Sequence, residues 1–424
     1  MLKLKVLPFT KELLSSLSPE RWLPPFIRAR GKQIEVGPPA GVGEGRGISL
    51  RKPLALIGIG KSAPSMVRAA ISAAGVPFTS GLIASPECPG ERVEGVECLK
   101  APHPIPGKRS IECCQRIIDL LSDHEGDVLF FISGGGSASV ELPAGGVDIG
   151  LIAALTSHLL RSGADIKEIN ALRRALSEVK GGGLLRWVRG RWASLIASDL
   201  YDDSLPDIAS GPTVFVEEGP EEALRTIEKY RLEREFPSIS RAVKRGSRRC
   251  PEASSRGMNI LALSMKEGGR SASRLLEGVG VRTSLLREPL VGPVENGLRR
   301  LIAEGRKTPG EPAAAVGWGE LSVKVLGEGL GGRCSEAALR ALKHLREGEA
   351  FLAVATDGRD GNSPGAGGWV RGGGGVDMGE IERYLKESDS YTALRRMGGV
   401  IEGLGGGSNV ADIYIYFRGV RLLD

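Results

Sequence analysis

The sequence predicts an α/β protein of two domains, an N-terminal one built on an open parallel sheet and a C-terminal one built on a mixed sheet. Three observations predict it. Short apolar runs alternate with helical stretches, the pattern of βαβ units. The 424 residues exceed what one compact core usually holds. The 61 glycines, about twice the usual ~7%, fall at the ends of apolar runs and form no low-complexity block, so they are loop chemistry.

In the first half the apolar runs 54–57, 81–84, 128–132 and 195–197 read as strands. Residues 167–185 read as one helix: Ile169, Leu172, Leu176 and Val179 recur on one face, Arg173, Arg174, Ser177 and Lys180 fall elsewhere, and Gly181 to Gly183 stop it. A charged helical stretch at 217–235, a basic segment and a fresh strand at 260–264 follow, which places the domain boundary near residue 240, giving domains 1–240 and 241–424. In the second half, runs 313–316 and 321–325 are close enough for a hairpin across Gly317, Trp318, Gly319 and Glu320. A helix at 335–346 and strands at 351–355 and 413–417 complete it. The glycine-rich stretch 361–375 reads as a mobile lid or a long turn, and the first fifty residues give no usable signal.

A net charge of +6 and a pI near 9.0 favour anionic substrates. Nucleic acid is not expected, because the one basic cluster, 241–249, lacks interleaved aromatics and reads as a solvated linker. Six cysteines and four histidines show no zinc spacing. No apolar run approaches the ~18 residues needed to span a bilayer, and no leader pattern opens the chain. A cytoplasmic protein with reduced thiols is expected, with a Cys88–Cys98 bridge only for a hyperthermophilic source.

Three stretches carry candidate chemistry. At 130–142, F-F-I-S-G-G-G-S-A-S-V-E-L, an apolar run stops at Ser133 and Gly134, Gly135 and Gly136 let backbone amides converge on an anion ahead of a helix; a plain turn is the alternative. At 56–66, L-I-G-I-G-K-S-A-P-S-M, the Walker signature fails because Ala55 stands where its first glycine belongs. Gly58, Gly60 and Ala63 do satisfy G-x-G-x-x-A, but the acid of a dinucleotide site has only the late Glu87 to offer. Lys61 sits at a strand's C-terminal end, where open α/β sheets bind ligands. At 198–213, S-D-L-Y-D-D-S-L-P-D-I-A-S-G-P-T, four aspartates follow a strand, which suits Mg²⁺ bridging to phosphates or an acidic surface turn. Glu320, the run 327–333 and A-T-D-G-R-D-G at 355–361 repeat the theme of carboxylates and arginine beside glycines.

Together these motifs resemble the type II glycerate kinases, or MOFRL family. The family's G-x-G-K-A-A-x-x-M matches 58–66, S-G-G-G-S-A matches 133–138, and N-x-V-R-K-H-L-S-x-I-K-G-G matches 170–182 with Arg174 and Ala175 substituted. The stretch ending I-A-S-G-P-T matches 198–213. G-G-E-T-T-V corresponds to 317–323 with one residue more, G-x-G-x-G-G-R-N-Q-E to 327–336 with Cys334 and Ser335, T-D-G-x-D-G-P-T-D to 356–364 ending in Pro364, and G-x-T-G-T-N-V-x-D to 405–412. H-P-x-P-D matches His103 to Pro106, but Gly107 replaces its aspartate, so that loop is given no catalytic part. The match runs in order from about residue 50 onward.

The resemblance implies a Rossmann-like first domain, a MOFRL-like second domain and an active site in the cleft between them. It implies Mg²⁺-dependent transfer of the ATP γ-phosphoryl group to D-glycerate, giving 2-phosphoglycerate. Lys61, Asp199 and Arg333 are the implied catalytic residues, and Asp199, Asp203 and Asp357 the candidate metal ligands. Gly60, Ser133, Gly134, Gly135, Gly136, Ser137, Arg173, Lys180, Glu320, Gly332 and Asn409 are the implied substrate or nucleotide contacts. The expected partners are these small molecules, for a monomer or homodimer. The alternatives are an NAD(P)H-dependent hydroxypyruvate reductase, a kinase for another small hydroxy acid, and a nucleic-acid binder.

Overall fold

The computed structural model describes residues 1–39, 47–90, 92–217, 220–245, 251–375, 377–403 and 410–424. They form two compact units, one of residues 22–263 and one of residues 1–21 with 264–424. The division expected near residue 240 thus lies between Leu263 and Ser264, and the first residues of the chain belong with the second unit.

Numbered along the chain, β1 (Leu2–Lys5) belongs to the second unit, and β2 (Ile27–Arg30), β3 (Gln33–Val36) and β4 (Ile48–Arg51) make an antiparallel sheet in the first. Next come β5 (Leu54–Ile59), β6 (Ser80–Ser85), β7 (Arg92–Val93), β8 (Val96–Lys100), β9 (Asp127–Ser133), β10 (Trp192–Ala197) and β11 (Gly257–Leu263). They build one seven-stranded sheet in the order β11-β10-β9-β5-β6-β8-β7, parallel except for the β7–β8 edge pair. Setting β7 aside, the order read from β8 is third, second, first, fourth, fifth, sixth, the doubly wound Rossmann order. All residues of β5 and β10 are buried, as near-continuous apolar strands covered on both faces should be. Ile57, Phe130, Ile132 and Trp192 pack with Cys113, Ile117 and Leu121 of the helix Lys108–Asp123. The fresh strand expected at 260–264 is β11, and its parallel pairing with β10 draws the domain boundary past it.

The helix expected over 167–185 spans only Ile166–Ala175. Asp165 caps it by accepting from Lys167 N at 2.8 Å. Beyond it, Ser177 bridges Pro143 and Glu178 N donates to Leu142 O at 2.7 Å. Val179 then packs in the sheet core, whereas Ile169, Leu172 and Leu176 pack in a separate helical cluster. The helical spacing of Val179 therefore crosses a change of core. The basic segment is likewise no linker as far as it is described: Ile239–Arg245 is a helix with Ile239 and Val243 buried, and residues 246–249 lie outside the described residues.

In the second unit β12 (Arg282–Leu285), β13 (Leu290–Pro293), β14 (Ala313–Ser322), β15 (Glu349–Ala355), β16 (Gly365–Arg371), β17 (Val400–Glu402) and β18 (Asp412–Arg418) form the expected mixed sheet, and β19 (Val420–Leu423) pairs in parallel with β1. Its order is β12-β14-β18-β15-β16-β17, with β13 also on β14. The expected hairpin is instead the single strand β14, seven of whose residues pair antiparallel with β18. Its glycines admit neighbours rather than turns: a Cβ on Gly317 would stand 2.4 Å from Leu290 Cδ1. The stretch 361–375 is neither lid nor turn at its centre, because β16 is buried between β15 and β17. There a Cβ on Gly368 would meet Leu394 Cδ1 at 2.4 Å. Ile413, Ile415 and Phe417 face one core and Tyr414 and Tyr416 the other, the period-two alternation of a sheet covered on both sides.

Cys88 and Cys98 are joined by a disulfide. No described helix is long and apolar enough to cross a membrane. The helix Val6–Ser16 buries Phe9 and Leu13, with Leu17 just beyond it, in the same core as Leu276, Trp318 and Ile415. Leu13→Ala is therefore expected to destabilise the second unit by about 3 kcal/mol, read by chemical denaturation; unchanged stability would remove the N-terminal segment from that core.

Candidate functional site

At the C-terminal ends of β5 and β9, where the strand order reverses, two glycine loops lie against each other. Lys61 N donates to Gly134 O at 2.9 Å, and Ser62 N to Ser133 Oγ at 2.9 Å. Gly60 has φ +112°, and a Cβ there would stand 2.3 Å from Ser133 O. The missing side chains of the second loop each admit a neighbour: a Cβ on Gly134 would lie 1.8 Å from Asp199 Oδ2, one on Gly136 2.6 Å from Ala209 Cβ. Gly135, at φ +81°, would place its Cβ 2.9 Å from Lys61 Cγ and 3.2 Å from His103 Cδ2. The amides of Gly134, Gly135 and Gly136 have no acceptor among the described residues, so they are open to an anion.

Cationic side chains gather around these amides. Neither the Lys61 ammonium nor the half-buried Arg173 guanidinium has a hydrogen bond or ion pair among the described residues. Burial pushes the Arg173 pKa down to about 10, with Glu141 opposing. Partial burial, then the charges of Lys61 and Arg173, hold the His103 pKa below its ordinary value, Glu87 acting against them. His103, given no part from its sequence motif, is thus beside the loop.

Lys180 is in a different situation. Its Nζ donates to Val140 O at 2.9 Å and pairs with Glu141 Oε2 at 3.0 Å, with side-chain exposures of 1% for Lys180 and 0% for Glu141. Burial lowers its pKa, and Glu141 restores part of the loss. So enclosed an ammonium does not face an open ligand site, which corrects its assignment as a substrate or nucleotide contact. It is a buried counter-charge beneath the strand end.

The four aspartates of the loop after β10 have separate fates. Asp199 is lodged against Gly134. Asp202 pairs with Lys167 at 2.8 Å, and Asp203 turns the chain at φ +51°. Asp207 is buried, accepting from Arg174 Nη1 at 2.9 Å and from Ser204 Oγ at 2.6 Å. It also takes Asn170 Nδ2 at 3.2 Å; Asn170 Oδ1 in turn accepts from Ser210 Oγ at 2.9 Å, and Ser210 Oγ lies 2.8 Å from Ser137 Oγ. This chain ties the loop after β10 to the loop after β9. Ala209 and Ser210 hold φ +54° and +57°, strain placed where the two loops touch.

In the second unit Arg333 opens the helix Arg333–Ala341. Its Nε lies 3.1 Å from Asp412 Oδ2 and its Nη2 3.1 Å from Glu320 Oε1. Tyr414 OH donates to Asp412 Oδ2 at 3.0 Å. Burial pushes the Asp412 pKa up to about 7, Arg333 opposing; the Arg333 pKa is raised, burial being outweighed by Asp412 and Glu320. The glycine run before Arg333 differs from the first loop. Its amides are engaged: Leu326 and Gly327 donate to Ser388 Oγ, Gly329 to Glu387 O, Leu330 to Asp389, Gly331 to Asn362 and Gly332 to Ser335 Oγ. The buried Asp360 carboxylate accepts from Cys334 N at 2.9 Å and Ser335 N at 2.8 Å, and a Cβ on Gly332 would strike it at 2.2 Å. These contacts correct the assignment of Gly332 as a substrate or nucleotide contact: Gly332 is a helix cap, and Arg333 alone presents a charge.

Asp357 is exposed, with Oδ1 accepting from Arg359 N at 3.0 Å. Asn409 lies outside the described residues. No group of three or more metal-capable side chains gathers among the described residues. Sequence reasoning left His103, Asp360 and Asp412 out of the site. All three lie inside motifs that had been matched, and only their packing shows what they touch.

Amides and cations without partners among the described residues, with a carboxylate, at the switch point of a Rossmann-order sheet define a phosphate-handling α/β protein. Residues 6–244 match the family described as a domain of unknown function, DUF4147, and residues 313–412 match the MOFRL family. The D-glycerate 2-kinase of Thermotoga maritima is 34% identical over 392 residues, covering 85% of this chain and 89% of that protein. The glycerate 2-kinase of Pyrococcus horikoshii is 32% identical over 395 residues, covering 88% and 89%. A crystal structure of the Thermotoga maritima glycerate kinase superposes with TM-score 0.80 at 30% identity, covering 97% of this chain and 98% of that one. The chain belongs to the glycerate 2-kinase family.

The buried pair separates support from chemistry. Lys180→Met leaves Glu141 uncompensated and is expected to cost about 3–5 kcal/mol of stability, measured by denaturation; a variant as stable as the parent would show that the pair is not structural.

Proposed function

We propose that the protein transfers the γ-phosphoryl group of ATP to D-glycerate, giving 2-phosphoglycerate and ADP. The observation that carries this reading is the meeting of open amides at Gly134, Gly135 and Gly136 with Lys61, Arg173 and Asp199 around one loop. Phosphoryl transfer needs charge neutralisation and in-line positioning more than covalent help. The amides and Lys61 hold phosphoryl oxygens. Asp199 accepts the proton of the attacking glycerate hydroxyl as its oxygen bonds to phosphorus and the bond to the ADP oxygen breaks. Arg333 offers a planar fork to a carboxylate or phosphate, and Asp412 and Glu320 hold two of its nitrogens.

Mg²⁺ suits this reading, because the ion needs only one or two carboxylates when water and phosphates complete its shell, and Asp199 is lodged beside the open amides. When bound, it would neutralise phosphate charge. A reductase is less well supported: at the end of β6, where a dinucleotide site would present an acid, stands Ser85, whose hydroxyl accepts from Glu87 N at 3.0 Å.

Incubation with D-glycerate, ATP and Mg²⁺, with the product identified by NMR, is expected to give 2-phosphoglycerate; folded protein that turns over no glycerate would overturn the proposal. Lys61→Met is expected to lower kcat at least about a hundredfold with the melting temperature unchanged, and near-normal turnover would end the role given to Lys61. Asp412 grips Arg333 as a carboxylate, so kcat should fall as pH drops through about 7. Asp412→Asn should show the low rate at all pH values without that inflection, as a pH–rate profile will reveal.

A further inference from the structure

We infer that His103 is a substrate-orienting residue whose imidazole hydrogen-bonds an oxygen of the anion seated on the amides of Gly134, Gly135 and Gly136. This deepens the kinase reading and rests on it for the identity of the anion.

Position carries the argument. The His103 ring and the Lys61 stem crowd the spot where a Cβ on Gly135 would stand, at 3.2 and 2.9 Å. Anything bound to the open amide of that glycine therefore lies within reach of both side chains. The His103 ring has no hydrogen bond among the described residues, and neither do the side chains of Lys61 and Arg173. Three donors around one set of open amides lack a shared acceptor, and a bound oxyanion supplies it. A solitary exposed histidine needs no such explanation, but this one stands beside Lys61 in a place that only glycine at 135 leaves open.

The charged groups facing the imidazole are Lys61, Arg173 and Glu87. Partial burial, and then the two cations, disfavour a positive charge on the ring, so near neutrality it is an uncharged donor. It orients the anion without trapping it, and Lys61 and Arg173 provide the charge. Acidification adds a proton to the ring and tightens its hold on the anion.

The oxyanion is a phosphoryl group of the nucleotide or the carboxylate of the hydroxy acid, and the test separates them. His103→Ala and His103→Gln are compared with the parent in steady-state assays varying D-glycerate and ATP from pH 6 to 9, with melting temperatures as a control for folding. The alanine variant is expected to raise one KM about five- to tenfold with a smaller change in kcat, and the glutamine variant, which keeps a donor, to recover most of it. A rise in KM for ATP assigns the phosphoryl group, and a rise for glycerate assigns the carboxylate. The parent KM for that substrate should fall on acidification, a trend the alanine variant lacks. Both KM values within twofold of the parent, with an unchanged pH profile, would overturn the inference. If the parent phosphorylates no glycerate, the kinase reading fails separately, and His103 is judged by calorimetric binding of inorganic phosphate and of D-glycerate. Weaker binding of either by the alanine variant supports the contact, and equal binding of both sinks it.

Discussion

Everything at the nucleotide-fold end of this protein depends on two loops approaching more closely than side chains allow. Lys61 N reaches Gly134 O only because Gly60 leaves Ser133 room, and Asp199 reaches the same loop only because Gly134 has no Cβ. Ala209 comes in under Gly136 on the same terms. Three strand ends, those of β5, β9 and β10, are thereby drawn to one point, and the carboxylate, the lysine and the amides that meet there come from different parts of the chain. Steric fit sets how closely the loops approach, since the packed interior tolerates no adjustment of even a methyl group without displacing a neighbour, and the hydrogen bonds between them hold them there.

The second unit uses an outwardly similar glycine run for the opposite purpose. Residues 326–332 lie so near the 387–391 segment that a Cβ on Gly327 or Gly329 would strike it. Their amides satisfy Ser388, Glu387 and Asp389. Glycine in one loop keeps amides open; in the other it lets the backbone consume them. The outcome in the second unit is a rigid platform for one guanidinium, clamped by Glu320 and Asp412.

Much of this was legible in the sequence. Parallel strands covered on both faces are short apolar runs, and β5, β6, β9 and β10 all contain the runs expected of them. The misreadings have physical causes. Helical spacing carried on past Ala175 although the chain had moved into another core, and periodicity cannot see which core a residue enters. Gly317 and Gly319 looked like a turn because a sequence does not distinguish glycine that bends a chain from glycine that accommodates a neighbour, and the same ambiguity hid β16. The aspartates after β10 read as one acidic group, yet burial gave Asp207 to structure and left Asp199 at the loop. His103 was discounted because its motif lacked an aspartate, whereas its relevance lies in what it packs against.

The pairing of β1 with β19 bears on how the polypeptide is made. The unit of residues 22–263 has all its strands once β11 leaves the ribosome, but in the other unit β1 has no strand partner until β19, the last strand, exists, and the opening helix waits for the residues from Met265 onward that share its core. Phe9, Leu13 and Leu17 wait uncovered through most of synthesis. During that interval the nascent chain displays an amphipathic helix of the kind that chaperones and neighbouring chains recognise. The order in which these two units mature is thus written into the path of the chain, with the nucleotide-fold sheet complete first and the arginine platform closed last.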